Sequence, residues 1–379
     1  MRHRVRSGLG TTLTSVRALV AVTATPDGAP RRRSMAAVAV VLLLVAVPAP
    51  GALAAPDGDV EVVAAFDDPR PTADARELPE GVAVDRRGHV YASLGPPFFT
   101  AGLPGLEPYG AIVTISPDGS RRTVVEFPDG PAPAGVAVDA AARVFFTMPD
   151  PGGPDVGVYR ATRGGEAQRI AGTEQMAVPN GLALDRRGGL VVSDSVLGQI
   201  WRIGWRARLG YGGDPAAAWL THPLLAGCQP GQVGANGVAF YRGDLFVANT
   251  ERGLLLRVPV LRDGSPGTPV IVAGDEDCEI SDELYGLDGI AIDRRGLVYA
   301  ALVLQNKLVA IHPDTGTATV VLDADDGLWN PASLAFGTAR GDRDSLYITN
   351  YAVLPPVPPA NLGPAVLKLS TGVPGWRGR

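Results

Sequence analysis

A chain of 379 residues with 46% hydrophobic and 19% charged side chains has the composition of a folded globular protein, which excludes a disordered or low-complexity one. Its formal charge is −5; without the first 54 residues, which hold seven Arg and one Asp, 27 basic and 38 acidic side chains remain, a formal −11. That balance argues against nucleic acid and anionic membrane as partners and leaves a small molecule as the expected one.

Residues 1–54 read as an export region. Arg31, Arg32 and Arg33 precede an apolar run from Ala36 to Val47, followed by Pro48, Pro50 and the small-residue stretch Ala52-Leu53-Ala54. This is the order of a signal peptide with cleavage near Ala54, and the run is shorter than the 18 or so residues a spanning helix needs. Met35 is a second candidate start. The expected product, residues 55–379, is one secreted or extracytoplasmic domain, and nothing in the sequence demands more than a monomer.

The next apolar segment, Val60–Phe66, stands alone. From Glu80 onward a short phrase recurs six times: Glu80-GVAVD, Ala134-GVAVD, Asn180-GLALD, Asn236-GVAF, Asp288-GIAID and the looser Ala332-SLAF. The leading positions are 54, 46, 56, 52 and 44 residues apart, a period that marks propeller blades. Each phrase predicts a small-residue inner strand. Near-identical turns follow three of them, Asp85-Arg-Arg-Gly88, Asp185-Arg-Arg-Gly188 and Asp293-Arg-Arg-Gly296, with Asp and Gly read as turn chemistry.

Second strands are predicted at Val90–Leu94, Val144–Met148, Leu190–Ser193, Leu245–Ala248, Leu297–Leu302 and Leu346–Thr349, and third strands at Gln199–Ile203, Leu254–Val258 and Leu308–Ile311. Outer strands are expected at Thr123–Phe127, Val270–Ala273 and Thr317–Leu322. The last repeat supplies Val366–Leu369 but lacks chain for a fourth strand, so Val60–Phe66 is expected to complete it. The fold class is therefore all-β: a six-bladed β-propeller with four-stranded blades, its ring closed by an N-terminal strand. One long interruption, Gly204–Thr221 with Trp205, Tyr211 and Trp219, reads as a surface excursion, with one rim of the pocket as a candidate position.

A propeller aims equivalent positions of every blade at one axis, so the leading positions Glu80, Asn180, Asn236 and Asp288 are expected to converge. Their donors are all oxygen. Two carboxylates and two amides suit a hard divalent cation, Ca²⁺ first, with Mg²⁺ or Mn²⁺ as alternatives. Second-strand exits border the same face and bring Asp194, Asn249 and Asn350 into range as substrate contacts or supports, with turn capping as the alternative. Phe98, Phe99, Trp329 and Tyr351 read as an apolar pocket wall or as packing between blades. Cys228 and Cys278 each lie shortly before a leading position, and a bridge between them is expected, against two separate buried thiols.

The phrases Pro79-Glu80-Gly81, Pro179-Asn180-Gly181-Leu182-Ala183, Asn236-Gly237-Val238-Ala239 and Leu287-Asp288-Gly289-Ile290-Ala291 resemble those of the gluconolactonase/regucalcin (senescence marker protein) family of six-bladed propellers, related to diisopropylfluorophosphatases and paraoxonases. The resemblance spans roughly Asp59 to Leu369. It implies a catalytic divalent cation on Glu80, Asn180, Asn236 and Asp288, with Asp288 the catalytic or water-orienting carboxylate, and lactone or ester hydrolysis as the reaction. It departs from the phosphatase and paraoxonase branches, because none of His89, His222 and His312 is placed for the pocket and Ala332 carries no ligand atom. The rival readings are a non-catalytic NHL-like propeller that binds a protein or small ligand, and a metal-free relative of the strictosidine synthases.

Overall fold

The computed structural model describes residues 60–66, 77–97, 108–162, 164–275, 283–354 and 362–378. Among them, six antiparallel four-stranded sheets form the blades of a propeller. The first five blades follow chain order. They are β2–β5 (Pro79–Val84, Val90–Leu94, Gly110–Ile115, Arg121–Phe127), β6–β9 (Val136–Val138, Val144–Met148, Gly157–Ala161, Ala167–Arg169) and β10–β13 (Pro179–Leu184, Leu190–Asp194, Gln199–Ile203, Ala217–Thr221). Next come β14–β17 (Ala235–Tyr241, Asp244–Asn249, Leu254–Val258, Val270–Ala273) and β18–β21 (Leu287–Ile292, Val298–Leu302, Lys307–Ile311, Ala318–Leu322). The sixth combines β22–β24 (Pro331–Phe336, Ser345–Asn350, Ala365–Ser370) with β1 (Glu61–Ala65) as its outer strand, pairing Ala65 with Ala365. Both chain ends thus share a blade, as the solitary N-terminal segment predicts.

The core lies between neighbouring sheets rather than within one. Phe145 and Val158 of the second blade pack on Leu190, Val192 and Trp201 of the third. Phe246 and Leu255 of the fourth pack on Ile290, Ala300 and Val309 of the fifth. Each such Leu, Ile or Phe contributes about 1.5–3 kcal/mol relative to exposure, so blade stacking is the main source of stability.

A second set of contacts locks the inner strands. In the inner strands β2, β10, β14, β18 and β22 the register slips around the leading residue, so that two residues oppose one on the second strand. The slip releases the leading carbonyl toward the preceding blade. Hydroxyls on the second strands take it up: Ser93 donates to the Ala134 carbonyl (2.5 Å), Thr147 to Asn180 (2.7 Å), Ser193 to Asn236 (2.6 Å) and Thr349 to Glu80 (2.6 Å). The Gly that follows five of the six leading residues, all but Ala332, is required by this approach. A Cβ at Gly135 would lie 2.4 Å from the Asn180 carbonyl oxygen, and one at Gly181 2.4 Å from that of Asn236.

On the opposite face Asp85, Asp139, Asp185 and Asp293 each accept backbone N–H bonds from two or three residues of their own turns, which is the structural role their sequence context predicts. The chain's last described residues cross this face at the axis. Arg294 N donates to the Pro374 carbonyl and Trp376 N to that of Ile292, both at 2.8 Å, and the Trp376 ring meets Tyr241 edge-on at 4.9 Å.

The insertion after β12 corrects one expectation. Because β12 runs from the pocket face to the opposite face, residues 204–216 lie away from the pocket. There Arg208 pairs with Asp139 at 3.0 Å beneath the turn of the second blade, both side chains buried.

Candidate metal centre at the propeller axis

The inner strands bring their leading residues to one level of the axis. Glu80, Asn180 and Asp288 keep accessible surface while most of their strand neighbours are buried, as residues lining a recess must. Asn236 is 5% exposed. The order around the axis follows from the contacts above: Glu80, Ala134, Asn180, Asn236, Asp288, Ala332, and back to Glu80 through Thr349.

The Asn236 amide is oriented by its neighbours. Thr250 Oγ1 donates to the Leu287 carbonyl (2.8 Å), which leaves it an acceptor for Asn236 Nδ2 at 3.0 Å. Asn236 also favours the charged form of the Asp288 carboxyl, against the effect of burial. With the amide nitrogen held by Thr250, its carbonyl oxygen remains as an electron-pair donor.

The sixth blade contributes Tyr351, read from sequence as a pocket-wall or packing aromatic, through its hydroxyl as well as its ring. The Tyr351 hydroxyl donates to Glu80 Oε2 at 3.0 Å, and the ring packs on Leu78 and Ala332. Ala332, the ligand-free leading position, therefore makes room for Tyr351, which is 4% exposed. Its backbone is fixed by Tyr351 N to the Asn330 carbonyl (3.1 Å), and Asn330 is itself tied to Asn306 Oδ1 (2.7 Å). Trp329, read from sequence with Tyr351 as a pocket-wall or packing aromatic, is buried with its indole N–H on the Leu354 carbonyl (2.7 Å), so it serves as packing. Phe98 and Phe99 lie outside the described residues.

The electrostatics are those of two acids held close together. Burial pushes the Glu80 carboxyl up to about 7, against the pull of the Tyr351 hydrogen bond. Burial first, and the charge of Glu80 second, hold Asp288 well above the usual carboxylate range, with Asn236 opposing. Tyr351 is raised in turn by burial and by Glu80. Among the described residues neither carboxylate has an ion-pair partner. Among the described residues no positive charge is paired with these two carboxylates, which act on each other beside the Asn236 amide. That donor set fits an oxygen-ligated divalent cation. No group of three or more His, Cys, Asp or Glu side chains converges among the described residues, so a thiolate or imidazole metal has no comparable site there.

Asp194, Asn249 and Asn350 end the second strands of three blades, and each is fully buried. The Asp194 carboxylate accepts from the backbone of Ala177, Val178, Val196 and Leu197. Asn249 donates to the carbonyls of Leu224 and Ala226 and accepts from Arg252 N. Asn350 accepts from Trp329 N and donates to the Gly327 carbonyl. All three tie the exit of a second strand to the segment entering the inner strand, and so hold the rim. The histidines are engaged elsewhere: His89 with Asp85, His222 and His312 within their own turns. Cys228 is disulfide-bonded, and Cys278 lies outside the described residues.

No family model and no curated protein matches the sequence. Solved structures do match. A gluconolactonase from Xanthomonas campestris aligns with a TM-score of 0.56 at 17% identity, over 86% of this chain and 93% of its own. The fold is that of the gluconolactonase and regucalcin propellers. Regucalcin from Agrobacterium tumefaciens, described as a calcium-binding protein, gives 0.52 at 14% over 84% and 94%. A luciferin-regenerating enzyme gives 0.58 at 15% over 85% and 98%. These likenesses carry the architecture; the chemistry rests on the residues.

Proposed function

We infer that this chain is a divalent-metal-dependent hydrolase that opens a lactone or an ester, acting outside the cytoplasm. The observation behind this reading is the meeting of Glu80 and Asp288 beside the Asn236 amide, with no ion-paired cation for either among the described residues. Glu80, Asn236 and Asp288, with Asn180 at the same level of the ring, would hold the ion, Ca²⁺ before Mg²⁺ or Mn²⁺. When bound, it supplies Lewis-acid polarisation of a carbonyl.

The remaining chemistry belongs to the side chains. Asp288 is the group placed to accept the proton of a water that adds to the carbonyl carbon, and no side chain among the described residues is ion-paired with it. Glu80 is held by Tyr351, so it does not swing into that role. The proton on Asp288 then returns to the departing alkoxide, which completes hydrolysis without a covalent intermediate. The rim exposes Leu197, Leu304 and Leu354 on pocket-side loops, which favours a substrate with an apolar arm over a bare sugar lactone.

Titration calorimetry with Ca²⁺, followed by a lactone and aryl-ester panel with and without EDTA, tests the reading. Binding with turnover that EDTA abolishes and Ca²⁺ restores is the expected result. Absence of both binding and turnover returns the chain to a non-catalytic propeller.

A further inference from the structure

The residues between β12 and β13 are absent from the metal centre's account, yet they are firmly built. The single helical turn Trp205–Arg208 is closed by Arg208 N on the Gly204 carbonyl (2.9 Å), and Tyr211 N donates to the Arg206 carbonyl (2.9 Å). Ala216 N on the Ala171 carbonyl (3.0 Å) and the buried Arg208–Asp139 pair anchor the segment to the second blade. This framework holds Trp205 and Tyr211 outward, 46% and 62% exposed. On the adjacent loop of the fourth blade Leu261 is 50% exposed. Trp205, with the Arg206 guanidinium 5.5 Å from its ring centroid, Tyr211 and Leu261 thus stand as separate apolar tips beside basic side chains on neighbouring loops.

Charge on this face narrows the choice. Between the third and fourth blades a cavity of about 200 Å³ is lined by Arg186, Arg187, Arg202, Arg262 and Trp219. Arg202 is engaged by Asp185 (2.9 Å) and the Gly264 carbonyl (2.9 Å). Arg186, Arg187 and Arg262 are exposed and have no ion pair among the described residues. Asp214, Asp244 and Asp263 share the face, but Asp263 is turned into its own loop, accepting from Ser265 N and Oγ. The pocket-side loops of the same region carry Glu174, Glu251, Asp275 and Glu283 against one arginine, Arg252, whose Nε donates to the Ala226 carbonyl. The net negative charge of the chain is therefore unevenly spread along the propeller axis. An anionic surface would be repelled by the pocket face and attracted to the opposite one, although the pocket rim exposes leucines too.

We propose that the face of the third and fourth blades opposite the pocket docks on an anionic lipid surface. Trp205, Tyr211 and Leu261 enter the interfacial layer, and Arg186, Arg187 and Arg262 meet lipid phosphates. Separated aromatic tips among arginines match an interfacial anchor better than a protein interface, which needs a contiguous apolar centre. The pocket then faces solution.

The test uses the chain from Ala55, since every strand of the six blades lies between Glu61 and Ser370 and the apolar run Ala36–Val47 would bind lipid by itself. Co-sedimentation is measured with phosphatidylglycerol-containing vesicles, with pure phosphatidylcholine vesicles, and with vesicles plus soluble inorganic polyphosphate. The expected result is binding to the anionic vesicles only, weakening with salt, and reduced at least about tenfold by W205S/Y211S and by R186E/R187E. All four positions are exposed, and circular dichroism confirms that each variant is folded. No binding to anionic vesicles, or binding that neither variant alters, overturns the proposal. So does binding that polyphosphate abolishes and W205S/Y211S leaves intact, which would mark a soluble polyanion site.

Discussion

The Tyr351 hydroxyl donates to Glu80 Oε2 at 3.0 Å, joining residues 271 positions apart across the seam between the first and last blades. The bond occupies one oxygen of the carboxylate and leaves the other toward the recess. Tyr351→Phe removes it without opening a cavity. Divalent-cation affinity, read by calorimetry, should fall roughly tenfold, as for other residues that orient a metal-binding side chain. An unchanged affinity would show that Glu80 needs no such support.

The raised pKa of Glu80 has a definite sign in stability. Its folded value, about 7, lies above the ordinary 4.5, so between these pH values the folded state holds more protons than the unfolded one. Metal-free protein should therefore lose stability as pH rises from about 4.5 to about 7, by roughly 2–3 kcal/mol, and regain it on addition of Ca²⁺. Denaturant titrations at pH 5 and pH 8, each with EDTA and with Ca²⁺, measure this. A metal-free protein more stable at pH 8 contradicts the crowding of the two carboxylates.

Asp288→Asn separates stability from chemistry. The substitution removes a like charge beside Glu80 and should raise the melting temperature of the metal-free protein above pH 7. It should also weaken cation binding and lower hydrolysis by about 100-fold or more. A destabilised variant with full activity would remove Asp288 from the site.

Thr349→Val tests the hydroxyl lock of the ring. Thr349 Oγ1 donates to the Glu80 carbonyl (2.6 Å) and accepts from Ser333 N (2.8 Å), so the variant leaves two backbone groups unpaired at nearly constant volume. A loss of about 1–3 kcal/mol is expected by chemical denaturation.

Much of the ring was legible because its chemistry is local. The Gly after a leading residue is demanded by a carbonyl of the next blade, and the small apolar residues that follow are those of a crowded inner strand. These requirements repeat in the sequence as a phrase, and the phrase carries Glu80, Asn180, Asn236 and Asp288 with it. Strand ends were less visible. The inner strand of the first blade begins at Pro79 rather than Gly81, because Pro79 pairs with Leu94 and the strand runs on through the slip at Glu80 and Gly81.

What stayed hidden depends on distant chain. Nothing near Tyr351 announces Glu80, and the signal lay in an absence: Ala332, a leading position without a side chain to fill its share of the axis. Asp194, Asn249 and Asn350 look like pocket residues by position, yet their polar atoms are bound to backbone on the neighbouring segment, a fact that only loop geometry supplies. The Gly204–Thr221 insertion could be drawn toward either rim until strand direction put it on the face away from the pocket.

The pairing of Ala65 with Ala365 also sets a clock. At synthesis rates of about 5–20 residues per second, β1 emerges roughly 15–60 s before its only sheet neighbour, β24, exists. For that interval the growing protein is an open arc with two raw edges, able to pair with another copy as readily as with its own missing end.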